Sequence, residues 1–164
     1  MRVVVTDTSP INYLVLTNEI ELLPRLFERV ILPSVVEDEL SSMGAPAAVR
    51  AWIATPPSWL EIIHSEHITP FAGLHWGEST AIAVAQALQA DLLLMDERKG
   101  VKVARERGLN VTGILGIFEL AARRGLIDLT TAFEQLRRTN FRAPAGVMES
   151  LLKRYPRRDL PSTR

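Results

Sequence analysis

The chain has 164 residues, of which 47% are hydrophobic and 23% charged, and its formal net charge is zero. These values exclude a disordered or fibrous protein and suit one domain with its own core. The sequence contains no cysteine, which excludes disulfides, thiol catalysis and thiolate metal sites. A neutral total counts mildly against a nucleic-acid binder, although it allows an acidic pocket beside a basic rim.

The apolar runs of the sequence are all short. None reaches the roughly 18 residues that a membrane-spanning helix needs. The first run, Val3 to Thr6, is too short for a secretory signal and is followed directly by Asp7. We therefore expect a soluble, cytoplasmic protein that has no membrane partner.

Short apolar runs and amphipathic stretches alternate along the chain, starting with a strand and a helix capped by Thr8 or Ser9. The later predicted helices cover residues 19–27, 33–40, a stretch ending near 54, then 77–89, 97–108, 113–125, 129–139 and 144–155. The predicted strands cover residues 2–6, 29–32, 59–63, 92–95 and 109–112. This alternation predicts an α/β fold with a mainly parallel sheet, formed by one domain over residues 1–155 and followed by a polar tail, 156–164.

Two of the predicted strands end at an aspartate. Asp7 follows the first strand, and Asp96 follows the strand Leu92–Met95. Ligands of open α/β sheets bind at the carboxyl ends of the strands, so the two aspartates could meet at one edge. Their mutual repulsion would then be offset most simply by a divalent cation. Each aspartate could instead cap the helix that follows it.

A third acidic residue, Glu39, lies in a predicted helix beside Glu37 and Asp38. Helical spacing places Glu39 one turn from Val35 and Val36, on the buried side. We therefore expect Glu39 to point inward and its two acidic neighbours to be more exposed, although most such charges form a solvated face.

A fourth acidic residue, Glu78, falls in the first turn of a predicted helix, where the helix dipole alone would favour it. Mg²⁺ and Mn²⁺ are hard ions that prefer oxygen ligands, and they can activate water for attack on a phosphodiester. Ser9 could add a hydroxyl ligand or bind a phosphate, or it could simply cap the helix before Pro10.

Four motifs together resemble the PIN-domain nucleases, the fold of the VapC toxins, and more closely a VapC-like bacterial and archaeal subgroup. They are VVTDTSPINYL at 4–14, LPSVVEDEL at 32–40, GESTAIAVAQ at 77–86 and LLLMDERKGVKVARERGLNVTGILGI at 92–117. The resemblance implies a three-layer α/β/α sandwich, a pocket that binds Mg²⁺ or Mn²⁺, and endoribonuclease activity. It also implies a toxin that is silenced by an antitoxin protein.

By matching motifs, the resemblance makes Asp7, Glu39, Glu78 and Asp96 the catalytic and metal-binding acids. Glu97 would be a fifth, outer metal ligand. The chain departs from the family pattern at three positions that bear on phosphate contacts and substrate preference: Ser9, Leu94 and Val101.

A basic stripe follows Asp96 on its predicted helix. Arg98, Lys99 and Lys102 could hold RNA phosphates beside the acidic pocket, and Arg105 continues the line. An ordinary solvated helix face would look the same.

Two further interpretations concern function and assembly. The fold could serve as a non-catalytic module that binds RNA or a protein, with the acids acting only as caps and surface charges. The apolar helices also favour a homodimer. The histidines His64, His67 and His75 show no spacing typical of a metal site.

Overall fold

The computed structural model describes residues 2–66 and 68–157, so His67 and most of the predicted tail lie outside the described residues. The strands are β1 (Val3–Thr6), β2 (Arg29–Pro33), β3 (Leu60–Ile63), β4 (Leu92–Leu94) and β5 (Val111–Thr112). The helices are α1 (Thr8–Leu16), α2 (Leu22–Leu26), α3 (Ser34–Ser41), α4 (Ala47–Ala54), α5 (Trp76–Ala87), α6 (Arg98–Glu106), α7 (Ile114–Arg123), α8 (Leu129–Arg137) and α9 (Val147–Arg154). In these ranges no helix combines the length and apolar character needed to cross a bilayer.

The strands form one sheet in the order β3-β2-β1-β4-β5, and every pairing is parallel. This confirms the predicted α/β fold, and the sheet is wholly parallel within the described ranges rather than mainly so. The chain extends the sheet to one side of β1 through β2 and β3, and to the other side through β4 and β5. A crevice therefore opens at the carboxyl ends of β1 and β4, where ligands of such sheets bind.

Helices cover both faces of the sheet. Successive strand residues point to opposite faces, so Val4 and Leu94 enter one core cluster while Val5 and Leu93 enter the other. The first cluster includes buried residues of α1, α3, α4, α7 and α8, and the second includes those of α5 and α6. The expected three-layer α/β/α sandwich is confirmed.

Two helices begin three residues later than the sequence predicted. Asn18 adopts a left-handed conformation with φ 58°, which ends the first helical segment and delays α2 until Leu22. Gly146, with φ 77°, likewise delays α9 until Val147. A residue with positive φ breaks the helical hydrogen-bond pattern, and glycine adopts it without steric penalty.

Removing Phe118 tests whether the outer helices belong to the same core as the sheet. Phe118 is fully buried on α7, with its ring centroid 6.4 Å from that of Phe133. We expect Phe118→Ala to lower the free energy of unfolding by about 3–5 kcal/mol, measured by urea denaturation. The control Leu88→Ala, at a side chain that is 40% exposed, should change it far less. Equal effects would show that α7 does not share the core.

Candidate active site

Asp7 and Asp96 follow neighbouring strands at the crevice. The register pairs Thr6 with Leu94, and the Asp7 N–H donates to the Leu94 carbonyl over 2.9 Å. Parallel pairing thus places both aspartates at the same edge of the sheet, although 89 positions separate them along the chain.

Asp7 is the most enclosed of the acids. Its side chain belongs to a residue only 4% exposed, and Oδ1 is buried without a hydrogen-bond partner. Burial raises the pKa of Asp7 to about 7, partly opposed by the Thr8 amide, and the charges of Glu39, Glu78 and Asp96 raise it further. The four acids proposed from the sequence therefore lie within electrostatic range of one another.

Glu39 reaches this pocket from α3. The Thr8 hydroxyl donates a short hydrogen bond to Glu39 Oε2, which ties α3 to the start of α1. Glu39 is half-buried and Asp38 is exposed, as predicted, but Glu37 is half-buried as well, so the expected difference between Glu39 and Glu37 is not seen. Its carboxylate fills the space beside Gly77, where a Cβ would lie 2.7 Å from Glu39 Cδ. A larger residue at this position would therefore require the Glu39 carboxylate to move.

Asp96 is held by the start of α7. Both of its oxygens accept from the Ile114 N–H, over 3.1 and 3.2 Å. A Cβ on Gly113 would lie 2.8 Å from Asp96 Cγ, so a larger residue here would displace the Asp96 carboxylate. Burial raises the pKa of Asp96 to about 6, opposed by the Ile114 amide. The alternative that Asp96 caps the next helix is wrong, because Glu97 occupies that position.

Glu78 and Glu97 each accept a hydrogen bond from a backbone N–H at the start of a helix. Glu78 Oε2 accepts the His75 N–H over 3.1 Å at the beginning of α5, and Glu97 Oε2 accepts the Gly100 N–H over 2.8 Å at the beginning of α6. Burial raises the pKa of Glu78, and the nearby charges of Glu97 and Glu39 add to the rise. Glu97 therefore lies at the rim of the same acidic pocket.

The donor set of the pocket fits a hard divalent cation. All of its charged groups are carboxylates, which Mg²⁺ and Mn²⁺ prefer, and the buried Asp7 Oδ1 has no other partner. Within residues 2–66 and 68–157, no three acidic or histidine side chains are already arranged as metal ligands. Glu39, Glu78 and Asp96 each accept a hydrogen bond from a hydroxyl or amide donor instead.

The basic residues predicted to bind phosphate divide into two groups. Arg98 lines a groove that contains Asp96, and Lys102 lines an adjoining recess, where its ammonium lies 4.0 Å from Glu106. Lys99 is exposed on α6 but contributes to neither groove. The structure thus brings part of the predicted stripe to the acids.

The start of α1 differs from the sequence prediction. Asp7 holds the N-cap position and the helix begins at Thr8, so neither Thr8 nor Ser9 is its cap, and Ser9 is a half-buried second helical residue.

The sequence prediction also missed the close approaches at Gly77 and Gly113. A glycine directly before an acid, or at a strand end facing one, is the signal that could have indicated them.

Alanine at either glycine should displace a carboxylate without removing any acid. We expect Gly77→Ala and Gly113→Ala to weaken Mn²⁺ binding at least about tenfold, measured by isothermal titration calorimetry. Gly44→Ala is the matched control, because its Cβ would have no atom nearer than Ser42 Oγ at 3.9 Å. Folded variants that bind Mn²⁺ as the wild type does would contradict this account of the pocket.

The raised pKa of Asp7 gives the stability of the protein a definite pH dependence. The folded pKa, about 7, exceeds the ordinary aspartate value of 3.8, so Asp7 contributes stability below pH 4 that is lost as pH rises toward 7. Without metal, Asp7→Asn should therefore raise the free energy of unfolding by about 2–4 kcal/mol at pH 8 and much less at pH 4.5. Chemical denaturation in EDTA measures this.

The exposed Asp38 supplies the control for that experiment, since Asp38→Asn should change stability little at either pH. An equal destabilisation by Asp7→Asn at both pH values would show that the Asp7 carboxylate is not strained by burial and repulsion.

Comparison with known proteins agrees with the observed fold. The family model described as DUF3368: PIN domain matches residues 3–156. No curated protein matches the chain. The solved structure of a PilT N-terminus domain protein from the hyperthermophilic archaeon Sulfolobus solfataricus P2 is similar in fold, with a TM-score of 0.51 and 19% identity. That match covers 70% of this chain and 88% of the archaeal one. The chain belongs to the PIN-domain family.

Proposed function

We propose that the protein is a metal-dependent endoribonuclease that hydrolyses RNA phosphodiester bonds. The observation that carries this proposal is the buried Asp7 carboxyl, whose Oδ1 has no partner and which lies in the field of three other acids. A protein keeps such a group only where something offsets its cost, and a bound cation does so. PIN domains are generally nucleases, which supports the same reaction class.

In this proposal Asp7, Glu39, Glu78 and Asp96 would hold Mg²⁺ or Mn²⁺, with Glu97 as an outer ligand. The bound ion would lower the pKa of a water molecule and offset charge on the phosphodiester. Hydroxyl and amide donors would help to position Glu39, Glu78 and Asp96 for the ion.

The same proposal assigns phosphate contacts to the basic side of the pocket. Arg98 and Lys102 are the best placed, because both line grooves that contain Asp96. Ser9, near the start of α1, and Lys99, exposed on α6, are further candidates.

We further propose that the protein is the toxin of a toxin–antitoxin pair and acts in the cytoplasm, where its RNA substrate and antitoxin would be. This rests on the VapC-like motifs of the sequence. The homodimer predicted from the apolar helices stays a prediction, which the molar mass from light scattering would test.

A non-catalytic binding module is the second candidate, and one observation favours it. Asp96, Glu78 and Glu97 each accept a backbone N–H at the start of a helix, which could be their whole role. In that case asparagine at Asp96 would leave RNA or protein binding unchanged and no cation would bind.

Cleavage of a labelled single-stranded RNA separates the two functions. We expect cleavage with Mn²⁺ or Mg²⁺, none in EDTA, and a loss of at least about 100-fold in Asp7→Asn and Asp96→Asn, or about 2.7 kcal/mol in the barrier. Asp38→Asn, an exposed acid outside the pocket, should retain full activity. A protein with demonstrably bound Mn²⁺ that cleaves no RNA would overturn the nuclease.

A further inference from the structure

A groove of about 530 Å³ opens beside Asp96 and uses a segment that the acidic pocket does not. One wall comes from α6, with Arg98 and Arg105. The opposite wall comes from the connection between α8 and α9, with Phe141 and Arg142. A second recess of about 460 Å³ shares Asp96, Arg98 and Arg105 and extends along α6. The two recesses therefore adjoin each other beside Asp96 and are lined by three arginines, Arg98, Arg105 and Arg142.

The α8–α9 connection is fastened to α1, the helix that begins at the acidic pocket. The Tyr13 hydroxyl donates to Asn140 Oδ1 over 2.9 Å, and the Tyr13 ring meets Phe141 edge to face with centroids 5.1 Å apart. The pKa of Tyr13 is raised by burial and, to a smaller extent, by the charge of Asp96. Tyr13 and its contacts with the α8–α9 connection therefore lie close to the acidic pocket. Arg142 is therefore held at the groove by contacts with the helix that carries Thr8.

Asp96 lies in this groove and Glu106 in the adjoining recess, but neither forms a salt bridge with the arginines of the groove in the part of the chain that the structure describes. Within residues 2–66 and 68–157, no salt bridge joins Arg98, Arg105 or Arg142 to a carboxylate. Arginines elsewhere do form such pairs with acids 2.8–3.7 Å away, namely Arg29, Arg137, Arg154 and Arg157. The sequence is neutral overall, so three unpaired arginines beside one recess mark a local surplus that suits a polyanion.

We propose that this groove binds the phosphates of single-stranded RNA next to the acidic pocket, and that Arg142 is one of its substrate-binding residues. The inference rests on the proposed endoribonuclease function and identifies where the flanking nucleotides lie. Guanidinium groups pair with phosphate oxygens in a bidentate geometry, and basic grooves follow the backbone of unpaired strands. A flexible single strand can bend toward the recessed Asp7, which is only 4% exposed.

Binding is measured in the Asp7→Asn background, so that cleavage does not interfere. The probe is a fluorescein-labelled single-stranded oligoribonucleotide of mixed sequence, followed by fluorescence anisotropy at several salt concentrations. Arg142→Ala should raise Kd about threefold to tenfold and reduce the slope of log Kd against log salt by about 0.7. Arg142→Lys should keep the slope, because it keeps the charge.

Arg138→Ala is the matched control, since Arg138 is an exposed arginine at the end of α8 that does not line the groove. An Arg142→Ala protein that binds like this control would overturn the groove, while metal-dependent cleavage by the wild type would still support the nuclease. Conversely, Arg142-dependent binding by a chain that never cleaves RNA would support the groove and overturn the nuclease. Circular dichroism confirms that each variant is folded.

Discussion

The parallel pairing of β1 with β4 is the constraint on which the site depends, because it places two aspartates side by side at the end of the strands. Asp7 is buried there, and the nearby charge of Asp96 adds to the cost of ionising it. Glu39 and Glu78 bring further negative charge from α3 and α5. The fold thus brings several negatively charged carboxylates together, which is unusual unless a bound cation offsets their repulsion.

The N-termini of several helices offset part of the repulsion among the carboxylates. Helices α1, α5, α6 and α7 all begin around the acids, and the positive ends of their dipoles face this edge. Amide groups of Ile114, His75 and Gly100 donate to three of the carboxylates. These donors offset part of the cost of bringing the carboxylates together.

Much of the fold and some of the site could be predicted from the sequence. Alternating apolar runs and amphipathic stretches predict the sheet and its helices, and strand-end positions predict that Asp7 and Asp96 share an edge. Contacts between distant segments could not be predicted in this way. Asp96 binds the start of α7, 18 residues further on, rather than the next helix. Arg142 reaches the groove only because Tyr13 fastens its segment to α1.

The most direct test of the account is an anomalous difference map from crystals grown with saturating Mn²⁺ above pH 7, where Asp7 is ionised. The account predicts a Mn²⁺ peak in contact with Asp7 Oδ1 and with carboxylate oxygens of Asp96 and at least one of Glu39 and Glu78. A map with no peak in this pocket under those conditions, or with the four carboxylates still bound only to their amide and hydroxyl donors, would contradict it.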